Sequence, residues 1–121
     1  MKHCLVVDDS DIIRKIARRI LETLNLEVSE ADRGQAAIEL CQAKAPDAIL
    51  LDWLMPDMTG LEFLGALRVA VHDSRPFILY CTTENDPEDF ARALSAGAHD
   101  ILLKPFDCEE LAAKMTQAGL A

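Results

Sequence analysis

Three aspartates, a threonine and a lysine carry most of the chemistry this sequence has to offer. Each follows a short apolar run. Cys4-Leu5-Val6-Val7 leads into Asp8-Asp9, and Ala48-Ile49-Leu50-Leu51 leads into Asp52. Phe77-Ile78-Leu79-Tyr80-Cys81 leads into Thr82, and Ile101-Leu102-Leu103 leads into Lys104. Runs of this length between turn residues read as buried strands, and Pro46 and Pro56 bound the one that ends at Asp52. In an open α/β sheet, ligands bind at the carboxyl ends of the strands, which is where these five residues would converge. Taken singly, each has a bland reading. Asp52 could start a turn, Asp8 or Asp9 could cap a helix, and Lys104 could be a surface lysine. Their joint placement is what argues for a site.

Three carboxylates cannot share water-poor surroundings in ionised form without a cation, because like charges would raise a pKa instead. An all-oxygen set with few protein donors suits Mg²⁺, which keeps several waters and favours phosphate. Lys104 and Thr82 would bring a positive charge and a hydroxyl to phosphate oxygens. Asp52 is then a candidate nucleophile that forms an acyl phosphate. The metal and Lys104 would offset charge on the transferring phosphoryl group.

The elements that must position these residues follow from periodicity. Ile12, Ile13, Ile16, Ala17, Ile20, Leu21 and Leu24 recur at helical spacing over residues 11–24, with Arg14, Lys15, Arg18, Arg19 and Glu22 opposite. Residues 27–31 alternate like an edge strand. Asp32-Arg33-Gly34-Gln35 resembles a capping box and opens a helix with Ala36, Ala37, Leu40 and Cys41 inward. Thr59-Gly60-Leu61-Glu62 is a second capping box, before a helix that buries Leu61, Leu64 and Leu67 and ends near Val71. Asp86-Pro87 starts the next helix, with Phe90, Ala93 and Leu94 inward and Gly97 at its end. Asp107-Cys108-Glu109-Glu110 caps the last, with Leu111, Ala112 and Met115 inward. Strands alternating with helices imply right-handed crossovers. The expected fold is one flavodoxin-like (βα)5 domain, with a parallel sheet of order 2-1-3-4-5 covered by helices on both faces. Residues 1–121 read as that single domain, with no effector domain following.

Composition narrows the classes. At 121 residues and 50% hydrophobic, the chain suits one globular core and is too apolar for disorder. No apolar run approaches a membrane span, and the start lacks a signal-peptide layout, so a cytoplasmic location is expected. A formal charge of −9 argues against nucleic acid or an anionic membrane as main partner. Cys4, Cys41, Cys81 and Cys108 form no C-x-x-C and read as reduced, buried small residues. His3, His72 and His99 lack metal-ligand spacing.

The joint pattern resembles the response-regulator receiver domain, of the stand-alone, chemotaxis-regulator-like kind. The residues that carry the resemblance are Asp8-Asp9, Asp52, Met55-Pro56-x-Met58-x-Gly60, Thr82 and Lys104-Pro105-Phe106. The resemblance spans the whole chain. It implies a two-component signalling protein, not an enzyme in its own right, that takes a phosphoryl group on Asp52 and assists its own phosphorylation and dephosphorylation. The donor would be a histidine kinase or a histidine phosphotransfer protein. Asp9 and Asp52 would hold Mg²⁺ directly with the Leu54 carbonyl, and Asp8 through water. The Lys104-Pro105 bond would be cis, in keeping with the restriction of cis bonds to proline. A downstream protein would read the state on the fourth helix, fifth strand and fifth helix. The basic face of the first helix reads as a solvated face, while the resemblance places donor docking near it.

Three positions depart from the family pattern. Leu54 stands where many relatives carry a polar residue, Thr83 replaces the usual small residue, and Ile101 replaces an aromatic that swings with the switch threonine. Other classes fit less well. An aspartate-nucleophile phosphohydrolase would show Asp-x-Asp and need a substrate cap. A flavin module would want a Ser/Thr/Gly-rich phosphate loop, where Asp8-Asp9 would repel the phosphate. A degenerate scaffold receiver would not keep Asp9, Asp52, Thr82 and Lys104 together.

Overall fold

The computed structural model describes residues 1–71, 73 and 75–121; His72, weighed above as a metal ligand, lies outside the described residues. The strands are β1 (His3–Val7), β2 (Glu27–Ala31), β3 (Ala48–Asp52), β4 (Phe77–Thr82) and β5 (Asp100–Leu103). The helices are α1 (Asp11–Thr23), α2 (Gly34–Ala43), α3 (Gly60–Ala70), α4 (Pro87–Ala96) and α5 (Cys108–Gln117). All strand pairs are parallel, and the sheet order is β2-β1-β3-β4-β5, the flavodoxin-like order expected. Register aligns Val7 with Leu51, Asp52 with Cys81 and Thr82 with Leu103. The ends of β1, β3, β4 and β5 therefore share one edge.

Alternation along the buried strands splits the core in two. Leu5, Val7, Ile49, Leu51, Ile78 and Tyr80 face α2, α3 and α4, against Ile38, Phe63, Leu64, Leu67 and Ala93. Cys4, Val6, Leu50, Leu79, Cys81 and Leu102 face α1 and α5, against Ala17, Leu21, Leu111 and Met115. Three helix starts behave as their sequences say. Thr59 with Glu62 and Asp107 with Glu110 form reciprocal capping boxes at α3 and α5. Asp86 caps α4 ahead of Pro87, and Gly97 ends that helix at φ 125°, a conformation glycine adopts freely.

Several expectations change. Helix α1 stops at Thr23, with Leu24 as its cap. Its apolar stripe is wider than its contact with the sheet: Ala17 and Leu21 are buried, while Ile12 is 70% exposed. Leu40 and Leu94 point outward, and Ile38 and Phe63 supply core contacts that the spacing did not single out. Asp32 does not cap α2; the cap position falls on Arg33, which makes no side-chain cap bond. Cys108 is exposed, unlike the other three cysteines. Burial pushes the Cys4 thiol up to about 12 and the Cys41 thiol to about 11, so neither carries thiolate at neutral pH.

His3 lies on the amino-terminal side of the sheet, away from the converging strand ends. Its Nε2 is 2.7 Å from Ser29 Oγ, and its Nδ1 is buried without a partner. Burial lowers its pKa, Lys44 adds to that, and Glu27 and Asp47 oppose it. A depressed base is stable in its neutral form, so this contribution to stability is whole above the unfolded-state value of about 6.5 and is lost as pH falls below it. Thermal unfolding should thus show a falling midpoint from about pH 7 to about pH 5, and His3→Gln should flatten that slope. An identical slope in the variant would mean that His3 does not set it.

Candidate functional site

The site is built where β1, β3 and β5 end. Asp8 follows β1 and is 4% exposed; Asp52 closes β3 and is 5% exposed. Lys104 follows β5, its own N–H donating to the Thr82 carbonyl at 2.9 Å, so the ladder is continued to the residue that carries the charge. From there its Nζ reaches Asp8 Oδ2 at 2.7 Å and Asp52 Oδ1 at 2.8 Å. Carboxylate oxygens of Asp8, Asp9 and Asp52 lie within 4.8 Å of one another. Five residues from four strand ends were expected to converge, and the structure brings Asp8, Asp9, Asp52 and Lys104 into one cluster.

Electrostatics follow from burial. Desolvation raises the Asp52 pKa; the Lys104 ammonium opposes the rise, and Asp8 and Asp9 add to it. Desolvation alone would lower the Lys104 pKa, but its bonds to Asp52 and Asp8 prevail and raise it. Lys104 therefore stays protonated while Asp52 resists ionisation. One ammonium does not neutralise three carboxylates. The cluster is a hard, oxygen-only set of the kind Mg²⁺ takes, and its donors fit that ion. Asp8 is the least available of them. Its Oδ1 accepts the Ser10 N–H at 2.9 Å and its Oδ2 accepts Lys104. Asp9 is exposed at the mouth.

Thr82 ends β4 and is buried; its hydroxyl oxygen accepts the Glu84 N–H at 3.0 Å. It lines a cavity of about 180 Å³ with Trp53, Thr59, Leu61, Tyr80, Glu84 and Asp89. Leu54, two residues beyond Asp52, pairs with Thr59 in an isolated bridge, and the residue is 50% exposed. Ile101 is half-buried and pairs in register with Tyr80. The Lys104-Pro105 bond is cis, as the resemblance implied.

Three contributors were not singled out by the sequence. Arg14, assigned to a solvated face, is drawn inward: its Nη1 donates to the Asp8 carbonyl at 2.6 Å and its Nε to Glu30 at 3.1 Å. Arg18 is likewise paired with Glu30 and Glu22. The acidic Glu30 on the neighbouring strand was the available signal. Tyr80 packs on Gly60, where a Cβ would come within 2.5 Å of the ring. Asp57, in the loop after β3, accepts the Gly34 and Gln35 N–H groups, each at 2.9 Å. Loss of some hydration pushes its pKa up, but these amide donors outweigh that and hold it below the usual carboxylate range.

Residues 4–116 match the response regulator receiver domain family, and the chain belongs to it. It is a receiver domain of two-component signalling, the domain that accepts a phosphoryl group. Response regulator MprA of Mycolicibacterium vanbaalenii is 40% identical over 111 residues, covering 92% of this chain and 47% of MprA. The phosphate regulon transcriptional regulatory protein PhoB of Klebsiella pneumoniae is 35% identical over 115 residues, covering 94% of this chain and 50% of PhoB. The chain thus spans about half the length of the curated relatives it matches. Among solved structures, chemotaxis protein CheY4 of Vibrio cholerae superposes with a TM-score of 0.90 at 36% identity, over 97% of this chain and 98% of that one.

A raised folded-state pKa means that ionised Asp52 opposes folding; the penalty is present above that pKa and relieved as pH falls through it. Asp52→Asn, which keeps the shape and an acceptor for Lys104, should raise the unfolding midpoint of the metal-free protein at pH 7. A lower midpoint would show that the Lys104 pairing outweighs the crowding of charge.

Proposed function

We propose that Asp52 is the phosphoryl acceptor of this receiver domain, with Asp8, Asp9, Lys104 and Thr82 completing its site. The observation that carries the reading is the Lys104 ammonium held between the buried Asp8 and Asp52 carboxylates, with Asp9 alongside. A phosphoryl group delivered to Asp52 is tetrahedral and anionic. Lys104 would leave Asp52 for a phosphoryl oxygen, and Thr82 would turn its hydroxyl from the Glu84 amide toward another. Asp9, Asp52 and the Leu54 carbonyl would hold Mg²⁺ directly and Asp8 would do so through water, the bound ion neutralising charge that develops on the phosphoryl oxygens. The donor is a phosphohistidine on a histidine kinase or histidine phosphotransfer protein. Asp52 Oδ forms a bond to phosphorus as the phosphorus–nitrogen bond to imidazole breaks, and the departing imidazole takes up a proton.

The state would be read on α4, β5 and α5. Leu94 and Leu103 are exposed there, apolar residues of the kind a protein partner covers. A formal charge of −9 favours a protein partner over nucleic acid or an anionic membrane, and among the described residues no helix is long and apolar enough to cross one. Residues 1–121 act as one receiver unit in the cytoplasm. The chain promotes its own phosphorylation and hydrolysis without acting on a separate substrate.

Acetyl phosphate with and without Mg²⁺, followed by intact mass and peptide mapping, tests the acceptor. One phosphoryl group is expected, on Asp52, only with Mg²⁺, and lost in Asp52→Asn; Asp9→Ala should slow uptake and raise the Mg²⁺ concentration at which it is half-maximal. A label elsewhere, or uptake undiminished by chelation, would sink the assignment.

Lifetime offers a second test. Water must reach the acyl phosphate in line, and Leu54 beside it offers no hydrogen bond to orient that water. Self-dephosphorylation should be slow, and Leu54→Asn should speed it. An unchanged or slower decay would refute the water-access argument.

A further inference from the structure

The loop between β3 and α3 is fastened at both ends and at its tip. Trp53 N–H donates to the Cys81 carbonyl at 2.9 Å, Met55 N–H to the Met58 carbonyl at 3.1 Å, and Gly60 N–H to the Trp53 carbonyl at 2.8 Å. These bonds set the backbone on either side of Leu54. The tip is held differently. Helix α2 begins with Arg33 at its cap, whose side chain satisfies none of the first-turn amides. A helix start left that way costs stability, and a side-chain acceptor normally cures it. Here the acceptor comes from another part of the fold: Asp57 takes the Gly34 amide on Oδ1 and the Gln35 amide on Oδ2, both at 2.9 Å. Its negative charge also suits the positive end of the helix dipole.

The approach is close. A Cβ on Gly34 would lie 2.4 Å from Met58 Sδ, so the Met58 side chain of the loop packs directly on the start of the helix and would have to move if residue 34 carried a side chain. Met55, between Leu54 and the tip, is buried. The stretch 54–58 is thereby clamped between its own hydrogen bonds and the start of α2.

We propose that Asp57 is a positioning residue: by capping α2 from the loop, it fixes the backbone that presents the Leu54 carbonyl beside Asp52. This rests on the reading that Leu54 contributes its carbonyl to a Mg²⁺ site with Asp9 and Asp52. Asp57 touches neither metal nor phosphoryl group in this account; it acts through the loop.

The test uses Trp53, the only tryptophan of the chain and the neighbour of Asp52, as a fluorescent reporter of Mg²⁺ titration in the full chain. Asp57→Ala should weaken Mg²⁺ binding roughly tenfold, the order seen when groups that orient metal ligands are removed. Asp57→Asn, which keeps one acceptor oxygen, should fall between it and the parent. In metal-free protein, amide exchange at Gly34, Gln35 and residues 54–58 should quicken in both variants. Glu39→Gly weakens α2 by helix propensity from an exposed position and should leave the Mg²⁺ midpoint unchanged. Equal Mg²⁺ affinity in Asp57→Ala and the parent would overturn the proposal, as would an equal loss in Glu39→Gly. If the parent itself gives no Mg²⁺ response, the metal-site reading fails instead, and faster exchange at residues 54–58 in Asp57→Ala still reports whether Asp57 holds the loop.

Discussion

An ammonium wedged between two buried carboxylates is the interaction on which this architecture turns. Asp8 and Asp52 are each nearly inaccessible to water, and neither charge is stable there alone. Lys104 makes them tolerable, and it arrives from a position 96 residues beyond Asp8 and 52 beyond Asp52. The parallel sheet brings these distant segments to within hydrogen-bond reach because it sets the carboxyl ends of β1, β3 and β5 along one edge. The arrangement is also incomplete. Three carboxylates against one lysine leave an excess of negative charge, which a divalent cation would relieve and which a phosphoryl group on Asp52 would increase. Folding and function draw on the same electrostatic imbalance.

The sequence spoke clearly wherever a local pattern decided the structure. Buried strands announced themselves as apolar runs, and the polar residue closing each run named the site. Thr59, Asp86 and Asp107 capped their helices as expected because caps of that kind need only neighbours in the chain. Legibility ended where tertiary structure chose among local options. Helical spacing marked Ile12, Ile16, Leu40 and Leu94 as apolar-face residues, yet spacing fixes only a stripe. Which part of the stripe meets the sheet depends on the approach angle of each helix, and these four ended up exposed. The start of α2 failed for a similar reason. Its capping group lies 23 residues downstream of Gly34, beyond the reach of any local motif.

The departures from the family pattern are physically coherent when set beside their neighbours. Ile101 is β-branched, stiff at its first torsion and smaller than a ring. Its partner across the strand pair is Tyr80, whose ring rests on Gly60 and lines the cavity next to Thr82. The aromatic bulk of this region thus sits on β4 and not on β5. A movement of Thr82 toward Asp52 would be felt first by the backbone after β4 and by α4, since Ile101 has no large group to carry from outside to inside.

Crystals grown with Mg²⁺ and beryllofluoride, a mimic of the phosphoryl group, should show beryllium bonded to an Asp52 carboxylate oxygen and metal on Asp9, Asp52 and the Leu54 carbonyl. Lys104 Nζ should have moved from Asp52 to a fluorine, and the Thr82 hydroxyl should have turned from the Glu84 amide to another. Lys104 still bridging Asp8 and Asp52, with beryllofluoride elsewhere or unbound, would contradict that arrangement.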